Sequence, residues 1–407
     1  MLEPAPRLEA AMPQYRYLII GGGMTADAAA GGIREVDANG TIGLVGAEPD
    51  APYDRPPLTK ALWKGAPLES VWRRTESKGV AMHLGRTIAL IDTKGRRARD
   101  DRGGEYAYER LLLATGVRPR RLPFGGDAIL HFRTLGDYRH LRALADAGQR
   151  FAVIGGGFIG TEIAAALALN GKEVVLLFPE QRVCDRVFPA TLATFVTDFY
   201  REKGVDVRAG ASVVAIDVGG TRPVLRTAAG ETIAVDGVVA GIGTEPNVAI
   251  AREAGLAVGD GILVDAMLRT SDPDIWAAGD VAAFESPALE RRLRVEHEDN
   301  ANSMGRVAGR NMAGGTEPYD HLPSFYSDLF ELGYEAVGLL DARLETFADW
   351  KEPNREGVVY YLAGGRVRGV LLWNVWQQVD AARRLVGERG PFTPAALRRR
   401  LPAAAPP

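Results

Sequence analysis

Two stretches of the chain share one pattern: a short apolar run, three glycines, then a segment rich in alanine. Residues 15–20, YRYLII, end at Gly21, Gly22 and Gly23, and residues 151–154, FAVI, end at Gly155, Gly156 and Gly157. Compact apolar runs closed by glycine predict strands buried on both faces, and the segments starting at Ala26 and at TEIAAALALN predict helices. Each helix leads to another apolar run, TIGLVG in one half and EVVLLF in the other. Strand, turn, helix, strand, twice over, is the layout of an α/β chain with parallel sheets. LLLATGVRP at 111–119 and VVAGIGTEPN at 238–247 close the two units. Towards the C-terminus the pattern changes to strand-like runs, AVGLL, GVVYYLA and RVRGVLLWNVW, before a final helix, QQVDAARRLV.

The glycine spacing adds chemistry. Gly21-x-Gly23-x-x-Ala26 and Gly155-x-Gly157-x-x-Gly160 both fit the dinucleotide fingerprint. One glycine makes the turn, the next lets the backbone approach a pyrophosphate, and a small third residue lets the helix pack on the strand. The helix N-terminus behind each turn offers unpaired N–H groups to the phosphates. Residues beside these turns belong to the same sites: Met24, Thr25, Ala47 and Ala114-Thr115-Gly116 in the first unit, Phe158 and Ile159 in the second. An acid follows each fingerprint, Glu48 and Glu180, where a ribose diol can be bonded. Glu180 favours NADH over NADPH, while Arg182 and Arg186 pull the other way. Asp280, behind Gly279 at a strand end, either accepts from a ligand hydroxyl chain or caps the next helix.

Composition bounds the rest. A length of 407 residues implies two or three domains. A net charge of −3 gives no reason to expect nucleic-acid binding, and the absence of a long apolar run argues against a membrane span. The expected location is the cytoplasm. Cys184 is the one cysteine, so neither a disulfide within the chain nor dithiol exchange is available. The expected organisation is a disordered extension at 1–11, a first nucleotide domain at 12–120 and 246–322, a second at 121–245, a C-terminal domain at 323–395, and a disordered Pro/Ala-rich tail at 396–407. The segment YDRPPLTK at 53–60 carries two prolines and is therefore stiff; by itself it reads as a rigid connection with two solvated cations, Arg55 and Lys60, or as a frame that holds them at a site.

Taken together, GGGMTA, YDRPPLTK, ATGVRP, GGGFIGTE, GIGTEPN and DIWAAGD resemble the FAD- and NAD(P)-dependent pyridine nucleotide reductases, the superfamily of ferredoxin reductases and disulfide reductases. PYDRPPLTKALW, RRLRVEHEDNA, FYSDLFELGYEAVGLL and YYLAGGRVRGVLLWNVW are similar to the apoptosis-inducing-factor branch, in the same order. The resemblance implies two Rossmann-like domains of the glutathione-reductase type plus a C-terminal α+β domain. FAD would sit at the first fingerprint and NAD at the second.

The resemblance also implies roles. Arg55 and Arg133 contact FAD, and Lys60 reaches the flavin ring, paired with Glu162. Phe158 lies against the flavin or yields to the nicotinamide. Glu335 and Gly243 lie near the NAD pocket, and His297 on the flavin side, although a histidine among three acids otherwise reads as solvated. Trp373 and Trp376 are core or flavin-covering aromatics. Two positions depart from the family: Glu298 replaces a histidine and Tyr326 a tryptophan. The implied activity is hydride transfer from NADH to FAD and then to an acceptor, an iron–sulfur protein such as ferredoxin, a quinone or oxygen. The alternative is an NADH-sensing switch that forms a charge-transfer complex, dimerises and turns over slowly.

Overall fold

The structure is a computed structural model that describes residues 12–401. The expected N-terminal extension at 1–11 lies outside the described residues.

The first unit opens with β1 (Gln14–Ile20), α1 (Met24–Val36), β2 (Ile42–Gly46), β3 (Val80–Leu84) and β4 (Glu105–Leu113). β3, β2, β1 and β4 lie side by side, and the three pairings are parallel. Leu18, Ile19, Leu44, Leu111 and Leu112 are fully buried, as expected of strands covered on both faces. Two further strands, Ile88–Asp92 and Arg97–Asp100, extend the edge antiparallel. The apolar pattern did not single these out, because each strand has only two buried residues.

The second unit contains β5 (Ile129–His131), α2 (Leu135–Ala147), β6 (Arg150–Ile154), α3 (Phe158–Leu169), β7 (Glu173–Phe178), β8 (Asp206–Ala209) and β9 (Gly237–Ala240). Its five strands are ordered β8-β7-β6-β9-β5 and all are parallel. The chain enters and leaves this unit through Val117–Pro119 and Thr244–Pro246, which pair antiparallel. Thr115 and Asn247 lock that crossing with two hydrogen bonds, at 2.9 and 2.8 Å.

The chain then returns to the first sheet. β10 (Ile275–Ala277) pairs with β4, and α4 (Glu298–Met312) packs on α1. Glycine sets that packing: a Cβ on Gly309 would come within 2.1 Å of the Ala29 carbonyl oxygen, and one on Gly32 within 2.1 Å of that of Arg306. The two backbones therefore touch, which fixes where α4 begins.

The C-terminal layer is an antiparallel sheet of β11 (Ser324–Leu329), β12 (Leu332–Gly338), β13 (Glu345–Glu352), β14 (Glu356–Ala363) and β15 (Arg366–Trp373), followed by α5 (Val379–Gly387). The sheet order is β11-β12-β15-β14-β13. Trp373 is fully buried, but Trp376 is 43% exposed and rests on Gly333, so only the first is a core aromatic. The expected tail at 396–407 needs correction as well. Leu397 and Leu401 are buried in the core of this layer, since two leucines spaced four apart bury together in spite of the prolines nearby. Residues 402–407 lie outside the described residues.

Candidate active site

One cavity of about 1870 Å³ runs between the three layers. Ordinary small-ligand pockets end near roughly 1,000 Å³, so this one suits something of dinucleotide size. It begins at the first glycine turn. Gly21 has φ +134°, and a Cβ there would meet the Ala114 carbonyl oxygen at 2.1 Å, so no other residue fits. Gly21, Gly23, Met24 and Thr25 line the cavity, with Ala47, Glu48, Ala114, Thr115 and Gly116 beside them. Ala26 is completely buried and makes helix–sheet packing, not cavity wall.

Charged pairs pin the next part of the wall. Arg55 donates to Glu48 at 2.5 Å and to the Arg133 carbonyl at 3.1 Å, and Tyr53 donates to the other Glu48 oxygen at 2.5 Å. Arg133 meets Asp280 at 2.7 Å. The two prolines after Arg55 open a short 3₁₀ turn, Pro56–Thr59, which delivers Lys60 to the cavity.

Lys60 lies 2.7 Å from Glu162, one turn into α3. Both are buried, with side-chain exposures of 11% and 5%. Glu162 also accepts from Thr59 at 2.6 Å and Ser327 at 2.5 Å. Sequence reasoning missed these two hydroxyls. The usable signal is physical: a buried carboxylate has more lone pairs than one ammonium can satisfy. Tyr326 sits over the Lys60 ammonium, 5.3 Å from ring centre to nitrogen.

The second turn repeats the first. A Cβ on Gly155 (φ +117°) would meet the Gly241 carbonyl oxygen at 2.3 Å, and one on Gly160 the Gly155 carbonyl oxygen at 1.9 Å. Gly156 packs under the Phe178 ring. A Cβ on Gly157 meets nothing within 4 Å, which leaves room for a phosphate at the uncapped start of α3. Phe158 and Ile159 line the cavity, whereas Glu180, Arg186 and Gly243 lie outside it. Glu180 pairs at 2.7 Å with Arg186, whose side chain is 83% exposed.

Phe158 packs on Phe325, ring centres 5.3 Å apart, and Phe325 stacks on His297 at 4.2 Å. His297 is therefore half-buried and not solvated, and burial lowers its pKa to about 4. Asp299 ties this wall to the C-terminal layer. It takes hydrogen bonds from His321, the Ser324 backbone and Arg383 at 2.6, 2.9 and 2.9 Å. These hold its carboxyl below the usual range, although burial alone would raise it. Glu335, on β12, lines the cavity with one carboxylate oxygen buried and unpartnered, and its pKa is raised by burial. Phe325 and Asp299 had no sequence signal beyond their neighbours.

Cys184 is buried and its thiol is pushed up to about 12 by burial. Among the described residues no cluster of metal-ligating side chains occurs, and no helix is long and apolar enough to cross a membrane.

Two dinucleotide folds that converge on one cavity define a two-nucleotide oxidoreductase. Residues 15–305 match the family model described as pyridine nucleotide-disulphide oxidoreductase, and residues 308–356 match the C-terminal model of apoptosis-inducing factor. The chain is 35% identical to the ferredoxin–NAD(+) reductase component of the anthranilate 1,2-dioxygenase system of Burkholderia cepacia, over 91% of this chain and 93% of the relative. It is 31% identical to the mitochondrial apoptosis-inducing factor 1 of Dictyostelium discoideum, over 92% of this chain and 79% of the relative. The solved covalent complex of putidaredoxin reductase with putidaredoxin contains a chain that superposes with a TM-score of 0.88 at 32% identity, covering 94% of this chain and 95% of the other. The chain belongs to the pyridine nucleotide-disulphide oxidoreductase family, of the ferredoxin-reductase type, and its cofactors are FAD and NAD(H).

Proposed function

We propose that the protein oxidises NADH and passes the electrons to a small iron–sulfur protein of the ferredoxin class. The observation that carries this reading is the single cavity joining the Gly21–Gly23 turn to Phe158 at the start of α3. When bound, FAD accepts a hydride from NADH and releases electrons one at a time. The protein residues divide the remaining work. Gly21, Gly23 and the start of α1 receive the FAD pyrophosphate, and Glu48 with Arg55 the sugar beside it. Arg133 and Asp280 hold the middle of the molecule, and Lys60 with Glu162 the ring. Gly155 to Gly160 receive the NAD pyrophosphate and Glu180 its ribose. Glu335 flanks the nicotinamide end, where Phe158 acts as the movable wall, while Gly243 lies outside the cavity. With Cys184 buried and alone, the acceptor must take its electrons from the flavin directly.

The relatives named for ferredoxin reduction support that acceptor. The match to the apoptosis-inducing-factor C-terminal model favours a second reading, an NADH-sensing switch that dimerises and turns over slowly. Anaerobic stopped-flow spectroscopy separates the two. Reduction by NADH followed by reoxidation within milliseconds to seconds on adding a ferredoxin supports the reductase. A persistent long-wavelength band with a monomer-to-dimer shift supports the switch.

A further inference from the structure

Oxidation of NADH by a one-electron acceptor leaves a proton over: NADH and two oxidised acceptors give NAD⁺, two reduced acceptors and one H⁺. Where the reacting atoms lie against the cavity wall, a wall group can take this proton from them and hand it to water.

Nine carboxylates line the cavity. Six of them, Glu48, Glu162, Glu245, Asp280, Glu296 and Asp299, face an arginine or lysine nitrogen at 3.1 Å or less. In each of these an oxygen is already engaged by a cation. Asp137 closes the capping box of α2. Glu335 keeps a free oxygen, but that oxygen is sealed from solvent. Glu298 is left. Its side chain forms no hydrogen bond or ion pair among the described residues.

Its position suits the task. Glu298 is the first residue of α4, directly after His297 and half-buried in the cavity wall. The charges of Lys60, Asp54 and Arg73, on other segments, and of Asp299, on its own helix, act on Glu298, which in turn acts on Tyr326, while Glu162 pairs with Lys60. Tyr326 is 43% exposed, so the wall opens to water at that point. Burial raises the Glu298 pKa and Asp54 and Asp299 add to the rise, against Arg73 and Lys60. The helix start also opposes it.

We propose that Glu298 is the proton-handling residue of the site, taking the proton left by two one-electron oxidations and releasing it to solvent beside Tyr326. An N–H bond of the reduced flavin breaks with its electron pair left on nitrogen, an O–H bond forms on Glu298, and that proton then passes to water. The proposal rests on the flavin reductase reading above.

The test uses the FAD-loaded protein with Glu298→Gln and Glu298→Asp. The flavin midpoint potential is titrated from about pH 4 to about pH 9, starting below the ordinary glutamate value. A carboxylate that ionises beside the flavin repels added negative charge, so the wild-type potential falls more steeply where Glu298 ionises. The Gln variant lacks that segment, and above it has the more positive potential. In a second measurement, NADH-reduced protein is mixed with ferricyanide in weak buffer containing a pH indicator. Wild type releases its proton together with flavin reoxidation; in the Gln variant release trails by at least tenfold, and Asp restores it. Identical potential–pH lines with synchronous release in the Gln variant overturn the proposal. If neither variant holds FAD, the wild-type line decides, and a line without the steeper segment overturns it. A wild type that binds no flavin overturns the underlying reading instead, which its absorbance spectrum reports before either test.

Discussion

The Lys60 ammonium stands 2.7 Å from the Glu162 carboxylate across the junction of the two nucleotide units, and Thr59 and Ser327 complete the acid's hydrogen bonding. One ion pair thus joins a proline-stiffened turn, the helix behind the second glycine turn and the C-terminal sheet.

Removing one partner leaves the other buried and unpaired. Lys60→Met is expected to destabilise the protein by about 3–5 kcal/mol, and the double variant Lys60→Met/Glu162→Gln by clearly less. Denaturant unfolding of the four proteins in a double-mutant cycle measures this. Lys60→Met is also expected to lower the flavin potential. The upper bound is the gross attraction of a bare cation about 4 Å away, about 4 kcal/mol or roughly 90 mV for two electrons, and Glu162 offsets part of it.

Gly157 separates folding from binding. Its Cβ position is open and its φ of −87° suits any residue, so Gly157→Ala is expected to change unfolding free energy by under about 1 kcal/mol. The methyl group instead occupies the place of a phosphate. NADH affinity is expected to drop at least tenfold with FAD content unchanged, as equilibrium binding and the flavin absorbance report.

Under the proposed function, Glu180 and Arg186 are expected to set the choice of nucleotide. The carboxylate repels a 2′-phosphate, and it holds an arginine that would otherwise attract one. Glu180→Ala frees Arg186, and the ratio of kcat/KM for NADPH over NADH is expected to rise at least tenfold. Adding Arg186→Ala is expected to cancel most of that gain.

His297 makes the folded state acid-sensitive. Its pKa is lowered to about 4 by burial, below the unfolded value near 6.5. Between those values the unfolded chain binds the extra proton, so stability rises with pH across this window and is lost as pH falls through it. The loss from pH 7 to pH 4 is expected to reach roughly 3 kcal/mol at most. In His297→Gln this part of the pH dependence is absent, which unfolding at several pH values checks.

Much of this was legible in the chain because the informative features are local. A glycine with φ near +120° under a carbonyl, as at Gly21 and Gly155, leaves its mark within one turn of sequence. Two prolines marked the segment of Lys60 as stiff, but its place at the flavin and its partner Glu162 came from family resemblance. The misses come from contacts made at long range. Phe325 on His297, Ser327 on Glu162 and Arg383 on Asp299 join residues 28 or more positions apart, as in Ser327 to Glu162 at a separation of 165. Leu397 and Leu401 show the converse error: composition pointed to disorder, while two side chains found a core.

The central claim is that one cavity brings FAD and NADH into contact. Anaerobic titration of the purified, FAD-incubated protein with NADH, followed through the flavin absorbance, tests it most directly. Loss of the oxidised flavin band with one NADH per flavin is the predicted result. A protein that stays colourless after incubation with excess FAD, or whose flavin band is unchanged by NADH, would contradict the account.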